Sequence, residues 1–308
     1  MNYRECYENG RAALEAVGIE EAAWDARLLL EYVCETNRND LLVHGDYSVD
    51  VDKEAKYFEL LEKRKQRIPL QHLTGVQEFM GLEFKVNEHV LIPRQDTEIL
   101  VEEVLKNLHD GMRVLDMCTG SGCILISLLN YSNDCQGVGV DISEEALKVA
   151  RENAEKLLGG KMFTEGECRD TVDDGQCGCM EEAQSDGAYA TRVTFLQSDM
   201  FENVTGKYEI IVSNPPYICS DVIPTLMPEV KDHEPMQALD GTADGLFFYR
   251  KIVDESKSYL TGGGMLYFEI GYDQAEAVSK LMQEAGFAEI NVVKDYAGLD
   301  RVVYGTLI

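Results

Sequence analysis

Two short segments carry residue types that could do chemistry together. Asn214-Pro215-Pro216-Tyr217 follows the apolar run Ile210 to Val212. Its prolines fix the backbone and remove two N–H groups, leaving carbonyls free to accept hydrogen bonds. The Asn214 side-chain oxygen beside those carbonyls can hold an NH2 group by its hydrogens, and the Tyr217 ring can pack on a planar substrate group. A rigid turn is the purely structural reading, and a small-residue loop upstream weighs against it. That loop, Asp116-Met117-Cys118-Thr119-Gly120-Ser121-Gly122, follows the apolar Val114-Leu115 and opens a helical pattern. Small residues there let backbone N–H groups and a helix N-terminus come close to a ligand. The next strand ends at Asp141, placed to accept from a pair of ribose hydroxyls. Leu125 stands where a dinucleotide fingerprint needs Gly or Ala, and no Lys-Ser/Thr completes a phosphate loop.

The elements that must position these loops can be read from hydrophobic spacing. Apolar residues fall at helical intervals in Ala12, Ala13, Ala16 and Val17, in Ala23, Trp24, Leu28, Leu29 and Tyr32, and from Val51 to Arg67. The third stretch ends in Lys63-Arg64-Lys65-Gln66-Arg67 before Pro69, a helix stop. That basic run is expected to be a solvated helix end, with a local contact point as the alternative. Alternation around Gly81 between Glu78 and Val86 predicts a β-hairpin. From Thr97 strands alternate with helices. Strands are expected over 112–117, 137–140, 193–196, 210–212 and 265–270, and helices over 124–129, 144–158, 246–260 and 275–285. Two closing strands come after them, at 290–293 and 302–307. The pattern predicts an α/β fold, a mostly parallel sheet with helices on both faces and an antiparallel edge hairpin. The stretch 159–191 has no period and reads as a surface insertion.

Composition narrows the function classes. The 308 residues suggest two domains. Asp and Glu number 56 against 28 Lys and Arg, a formal net charge of −28. Such a surface disfavours nucleic-acid and membrane partners. Eight of the acids and two of the bases lie in 159–191. No apolar run reaches membrane-spanning length, and the N-terminus lacks the apolar core of a secretory signal. The nine scattered cysteines read as reduced thiols of a cytoplasmic protein. Cys168, Cys177 and Cys179, with Cys135, suggest zinc at first sight. Their spacing is not that of a structural zinc site, so no metal is expected. His233 reads as a turn residue, not a base.

Asp116 to Gly122 followed by Asn214-Pro215-Pro216-Tyr217 resembles the class I S-adenosylmethionine-dependent methyltransferases that modify amide or amino nitrogens. His72-Leu73-Thr74-Gly75, Leu91 to Glu98, Glu234-Pro235, Asp244-Gly245-Leu246 and Ala297 to Val303 narrow the resemblance to the release factor glutamine methyltransferases (HemK/PrmC family) over nearly the whole chain. It implies a Rossmann-like, seven-stranded sheet, a helical substrate-recognition domain at 1–72, a hairpin linker at 73–93 and a methyltransferase domain at 94–308. It also implies N5-methylation of the glutamine in the Gly-Gly-Gln loop of class 1 release factors by a monomer. The family pattern assigns Asp116, Cys118 to Gly122, Asp141, Asp199, Met200 and Asn214 to the cofactor. It assigns Asn214 to Tyr217 to the glutamine amide, with Asn214, Pro215 and Tyr217 catalytic. Three positions depart from the pattern: Cys118 replaces a glycine, Met200 a tryptophan and Gln95 a proline. The competing readings are an adenine-N6 methyltransferase, which would need a basic face, and a non-enzymatic binding module.

Overall fold

The computed structural model describes residues 1–159 and 192–308. Apart from Gly159, the expected insertion and its three cysteines lie outside the described residues.

The chain begins with five helices. Helix α1 (Tyr3–Glu15) starts at a capping box: the Asn2 side chain accepts from the Glu5 N–H, and the Glu5 carboxylate accepts from the Asn2 N–H. α2 (Ala22–Cys34) and α4 (Val51–Lys65) pack with α1 around Leu14, Leu29, Tyr57 and Leu61. Between them lies α3 (Arg38–Val43), and α5 (Leu70–Thr74) comes directly after Pro69. Hydrophobic spacing missed these two because each is too short to display a period. Strands β1 (Val76–Phe79) and β2 (Leu82–Lys85) form the hairpin, turning at Met80 and Gly81, both with positive φ. Phe79 and Phe84 are fully buried in the core under the main sheet, which fastens the hairpin to that sheet.

The remainder runs α6 (Glu98–Leu105), β3 (Arg113–Met117), α7 (Cys123–Asn130), β4 (Gln136–Asp141), α8 (Glu144–Leu158), β5 (Val193–Gln197) and β6 (Tyr208–Ser213). Short α9 (Pro228–Lys231) and α10 (Met236–Leu239) precede α11 (Phe247–Ser256), β7 (Leu260–Glu269), α12 (Ala275–Glu284), β8 (Phe287–Lys294) and β9 (Asp300–Leu307). Seven strands form one sheet in the order β5-β4-β3-β6-β7-β9-β8. All neighbours are parallel except β9, which is antiparallel to both β7 and β8. The fold is therefore the α/β one expected. Helix α11 stops earlier than its apolar pattern suggests, and β7 begins at Leu260, five residues before the expected start. Leu260 pairs with Tyr208, and a register irregularity lets Gly262 to Gly264 ride within the strand.

The basic run at the end of α4 is not simply a solvated helix end. Lys63 and Lys65 pair with Glu59 and Glu62 of the same helix, but Arg64 is 7% exposed. Its Nε donates to Asp25 Oδ2 at 2.7 Å, and Nη1 and Nη2 donate to Glu229 Oε1 at 3.0 Å. Arg67 reaches the same Glu229 oxygen at 3.2 Å and the carbonyls of Val17 and Gly18. His233 sits beside, 3.3 Å from the Gln66 carbonyl oxygen. This cluster ties the helical region to α9. Burial raises the Asp25 pKa despite the Arg64 hydrogen bond. At Glu229 burial acts in the same direction, but its own backbone N–H and two guanidinium groups outweigh it, and the pKa is lowered. Removing one partner from a buried ion pair leaves an uncompensated charge. Arg64→Ala is therefore expected to destabilise the protein by about 3–5 kcal/mol in urea unfolding. Lys65→Ala, one residue on and surface-paired, should stay within about 0.5 kcal/mol; equal effects would refute the contrast.

Two carboxyls are buried at the C-terminal edge of the sheet, Asp116 on β3 and Glu269 at the end of β7. Burial pushes each up to about 7, against the Thr119 hydrogen bond at Asp116 and the Arg301 charge near Glu269. The folded protein thus holds these protons more tightly than the unfolded chain. Their contribution to stability falls as pH rises from about 4 and is fully lost above about 7. Asp116→Asn keeps an acceptor for the Thr119 hydroxyl and cannot ionise. Its stability difference between pH 5 and pH 7.5 should be smaller than the parent's by about 1 kcal/mol or more. Parallel pH profiles from urea titrations would contradict this.

Candidate active site

The two candidate loops leave the sheet side by side. Met117, the last residue of β3, pairs with Ser213, the last of β6, and the Ser213 hydroxyl donates to the Met117 carbonyl at 2.7 Å. After β3 the chain crosses to β4 on one side, while β6 lies on the other. The cleft therefore opens at the switch point of the sheet, where open α/β folds bind ligands. It holds a cavity of about 670 Å³, within the usual range for small-molecule sites.

The loop after β3 forms one wall through Cys118, Thr119, Gly120 and Ser121. Cys118 has φ +62°, a left-handed conformation that disfavours a Cβ. A glycine would sit there without strain. Burial, reinforced by the Asp141 and Asp116 carboxyls, pushes the Cys118 thiol far up and keeps it neutral. Gly122 caps α7 at φ +79°, where a Cβ would lie 2.8 Å from Ile126 Cδ1. Asp116 is fully buried beneath the loop and outside the cavity wall. Its Oδ2 accepts from the Thr119 hydroxyl at 2.6 Å, so its part is to shape the loop.

Asp141 closes one end. Its Oδ2 accepts from the Gly120 N–H and its Oδ1 from the Ser143 N–H, both at 2.9 Å. Burial raises its pKa against those two hydrogen bonds. A carboxylate oxygen has two lone pairs, so each retains capacity to accept from a vicinal hydroxyl. Ile142, 55% exposed, and Met200 add apolar surface to the same cavity. Asp199 also lines it and pairs with Lys251 at 2.9 Å. The buried Ser121 hydroxyl has no hydrogen-bond partner among the described residues. An acidic acceptor, apolar walls and a free hydroxyl suit a nucleoside bearing a polar tail.

Asn214 and Pro216 line the cavity, whereas Pro215 and Tyr217, the other two residues expected to hold the substrate amide, are not among its lining residues. The Tyr217 hydroxyl lies 3.5 Å from Glu269 Oε1, and burial pushes its pKa well above the usual range. The Asn214 Nδ2 is 3.5 Å from the Thr97 hydroxyl. Gln274 Nε2 donates to the Tyr217 carbonyl at 3.1 Å and to that of Gly245 at 3.3 Å. Gly245 has φ +69°, and a Cβ on it would strike the Tyr217 carbonyl oxygen at 2.4 Å. The tetrapeptide is thus locked from behind.

Sequence reasoning missed the flanks. The hairpin exit brings His89, Arg94 and Thr97 to the cavity, and the segment after α9 brings Met236 and Asp240. Arg94 is tied to Glu234 at 2.6 Å. The family-like stretches Leu91 to Glu98 and Glu234-Pro235 were the signal that could have found several of these residues. Among the described residues no group of three or more His, Cys, Asp or Glu could hold a metal ion. Nor is any helix there long and apolar enough to cross a membrane.

The family described as PrmC N-terminal domain matches residues 5–75, and a methyltransferase domain matches residues 108–169. The release factor glutamine methyltransferase of Clostridium acetobutylicum is 39% identical over 284 residues, covering 91% of this chain and 89% of that protein. That of Clostridium botulinum is 37% identical, covering 96% and 95%. That of Agrobacterium fabrum is 35% identical, covering 95% and 93%. With such identity along nearly the full length of both partners, the chain belongs to the release factor glutamine methyltransferase family.

Proposed function

We propose that this protein methylates the side-chain amide nitrogen of the glutamine in the Gly-Gly-Gln loop of class 1 release factors, with S-adenosylmethionine as methyl donor. The observation that carries the reading is one cavity with the Asp141 carboxyl at one end and Asn214 on the facing wall. The donor's residues would be Cys118 to Ser121, Asp199 and Met200 along the wall and Asp141 at the ribose, with Asp116 and Gly122 shaping the loop. When bound, S-adenosylmethionine supplies an electrophilic methyl group on a sulfonium.

What the protein contributes is placement and electrostatics. An amide nitrogen is a poor nucleophile because its lone pair is delocalised into the carbonyl. Asn214 Oδ1 and the Pro215 carbonyl accept the two N–H bonds of the substrate amide, which aims the nitrogen along one line and favours positive charge growing on it. Pro215 and Pro216 keep that pair of acceptors rigid, and Tyr217 supports the amide plane. Because the charge is stabilised where it forms, no strong base is required. We assign residues 1–72 to recognition of the release factor, residues 73–93 to the linker and 94–308 to catalysis. The enzyme acts as a monomer in the cytoplasm, where release factors work. An adenine-N6 reading shares the tetrapeptide, but family membership and a net charge of −28 both favour a protein amide.

Incubation with a class 1 release factor and S-adenosylmethionine, followed by mass spectrometry of the Gly-Gly-Gln peptide, should show one added methyl group on the glutamine. An unmodified peptide would overturn the reading, and methylation of an adenine-containing duplex would favour the competitor. Asn214→Ala should lower the rate by about 10²–10³, the effect of removing one preorganised polar group; near-parental activity would exclude its role. If the acidic surface steers a basic partner, added salt should slow turnover on intact release factor more than on a short Gly-Gly-Gln peptide. Equal salt slopes would remove electrostatic steering from the account.

A further inference from the structure

The tetrapeptide has little backbone with which to hold itself. Pro215 and Pro216 lack N–H groups, so the segment that leaves β6 at Ser213 has no backbone donors at its centre. Its downstream end is held through an acceptor, the Tyr217 carbonyl, and the donor is a side chain. Gln274 stands at the start of α12 and is 9% exposed. Its Oε1 accepts from the Gly271 N–H at 2.9 Å, which folds the side chain over the turn after β7. A backbone N–H can only donate, so this contact fixes which end of the amide is oxygen. Nε2 is left to face two carbonyls, that of Tyr217 at 3.1 Å and that of Gly245 at 3.3 Å. A carbonyl can only accept. The direction of the Gln274 amide therefore follows from backbone groups alone, none of which titrates.

The second carbonyl belongs to Asp244-Gly245-Leu246, a stretch that the proposed mechanism does not use. A Cβ on Gly245 would lie 2.4 Å from the Tyr217 carbonyl oxygen and 2.7 Å from Gln274 Nε2. The position is bare because those two groups fill its space. Asp244 Oδ1 accepts from the Leu246 N–H at 3.1 Å and steadies the turn into α11. Helix α11 is itself fixed by Tyr249 and Ile252, both fully buried. The Tyr249 hydroxyl lies 2.9 Å from the Glu269 carbonyl oxygen and 3.4 Å from Gln274 Oε1, which ties the helix to the end of β7. We infer that Gln274 is a positioning residue whose NH2 group clamps the Tyr217 carbonyl to the junction of α11 and β7, and so holds Tyr217 where it supports the substrate amide. The inference rests on the amide-methylation reading above. Gln274 does not line the cavity, so its effect passes through Tyr217. Alignment of reacting groups is sensitive to such support: a displacement of about 1 Å can cost about 10²-fold in rate.

The test uses Gln274→Glu, Gln274→Met and Gly245→Ala in the full-length chain. The first keeps the acceptor for the Gly271 N–H and turns an oxygen, in place of the NH2 group, on the two carbonyls. The second keeps the length without a donor. The third leaves Gln274 intact and drives a methyl group into the same junction. Each should lower kcat for release-factor methylation by about tenfold or more. KM for the release factor and the S-adenosylmethionine Kd should stay within about threefold of the parent, because the clamp acts on alignment and not on binding. Gly245→Ala combined with Gln274→Met should be no slower than the worse single variant, since both break one junction. A kcat loss under about threefold in both Gln274 variants, a loss carried by KM alone, or full additivity would overturn the inference. In the unsubstituted protein, a nuclear Overhauser contact between the Gln274 NH2 protons and the Gly245 α protons is also expected. That measurement needs neither substrate nor variant, so it decides the clamp even where a substitution prevents folding. Its absence refutes the clamp, whereas an unmethylated release factor with the parent enzyme refutes the substrate reading.

Discussion

The parallel pairing of β3 with β6, Met117 opposite Ser213, is the constraint on which the site depends. It brings together loops far apart in the chain and points both out of the same edge of the sheet. The Ser213 hydroxyl on the Met117 carbonyl joins the two strand ends directly. A one-residue slip would turn the strands' side chains to opposite faces and part the loop at Cys118 from the tetrapeptide at Asn214. The central strands are protected against such a slip by burial on both faces, with Leu115, Ile211 and Leu266 in one core cluster and Val114, Ile210 and Tyr267 in the other.

Around that pairing the chain accepts local costs. Cys118 and Met200 both carry side chains at positive φ beside the cavity. Asp116, Glu269 and Asp141 are carboxyls whose burial raises their pKa. Such strain and desolvation persist where surrounding structure over-determines them and where the arrangement serves a ligand. Of these three carboxyls only Asp141 lines the cavity, beside the neutral Cys118 thiol; Asp116 and Glu269 do not line it.

The helical region is bound to this framework by means that hydrophobic contact alone does not supply. Arg64 and Arg67 converge on Glu229, and the hairpin inserts Phe79 and Phe84 beneath the sheet. Arg94, at the hairpin's exit, is held by Glu234. These links fix the segment from Met227 to Asp240 relative to the N-terminal helices, and that segment lines the cavity through Met236 and Asp240. A substrate bound across the helical region and the cleft would meet a preset geometry.

The alternation of helix and strand was legible because periodic burial is written residue by residue: α8 has the bounds its apolar spacing predicts, and Asp141 ends its strand as expected. The two loops stood out because glycine and proline have backbone consequences wherever they occur. Short α3 and α5, the glycine-bearing start of β7 and the burial of Arg64 were not legible. A helix of one or two turns has no measurable period, and a cation at a helix end has the same local sequence whether it meets water or a distant carboxylate. The sequence by itself determined which chemistry the chain carries, through the residue types of its loops. Tertiary structure decided which loops share the cavity and which charges are buried, because strand pairing and ion-pair partners are brought together only by folding.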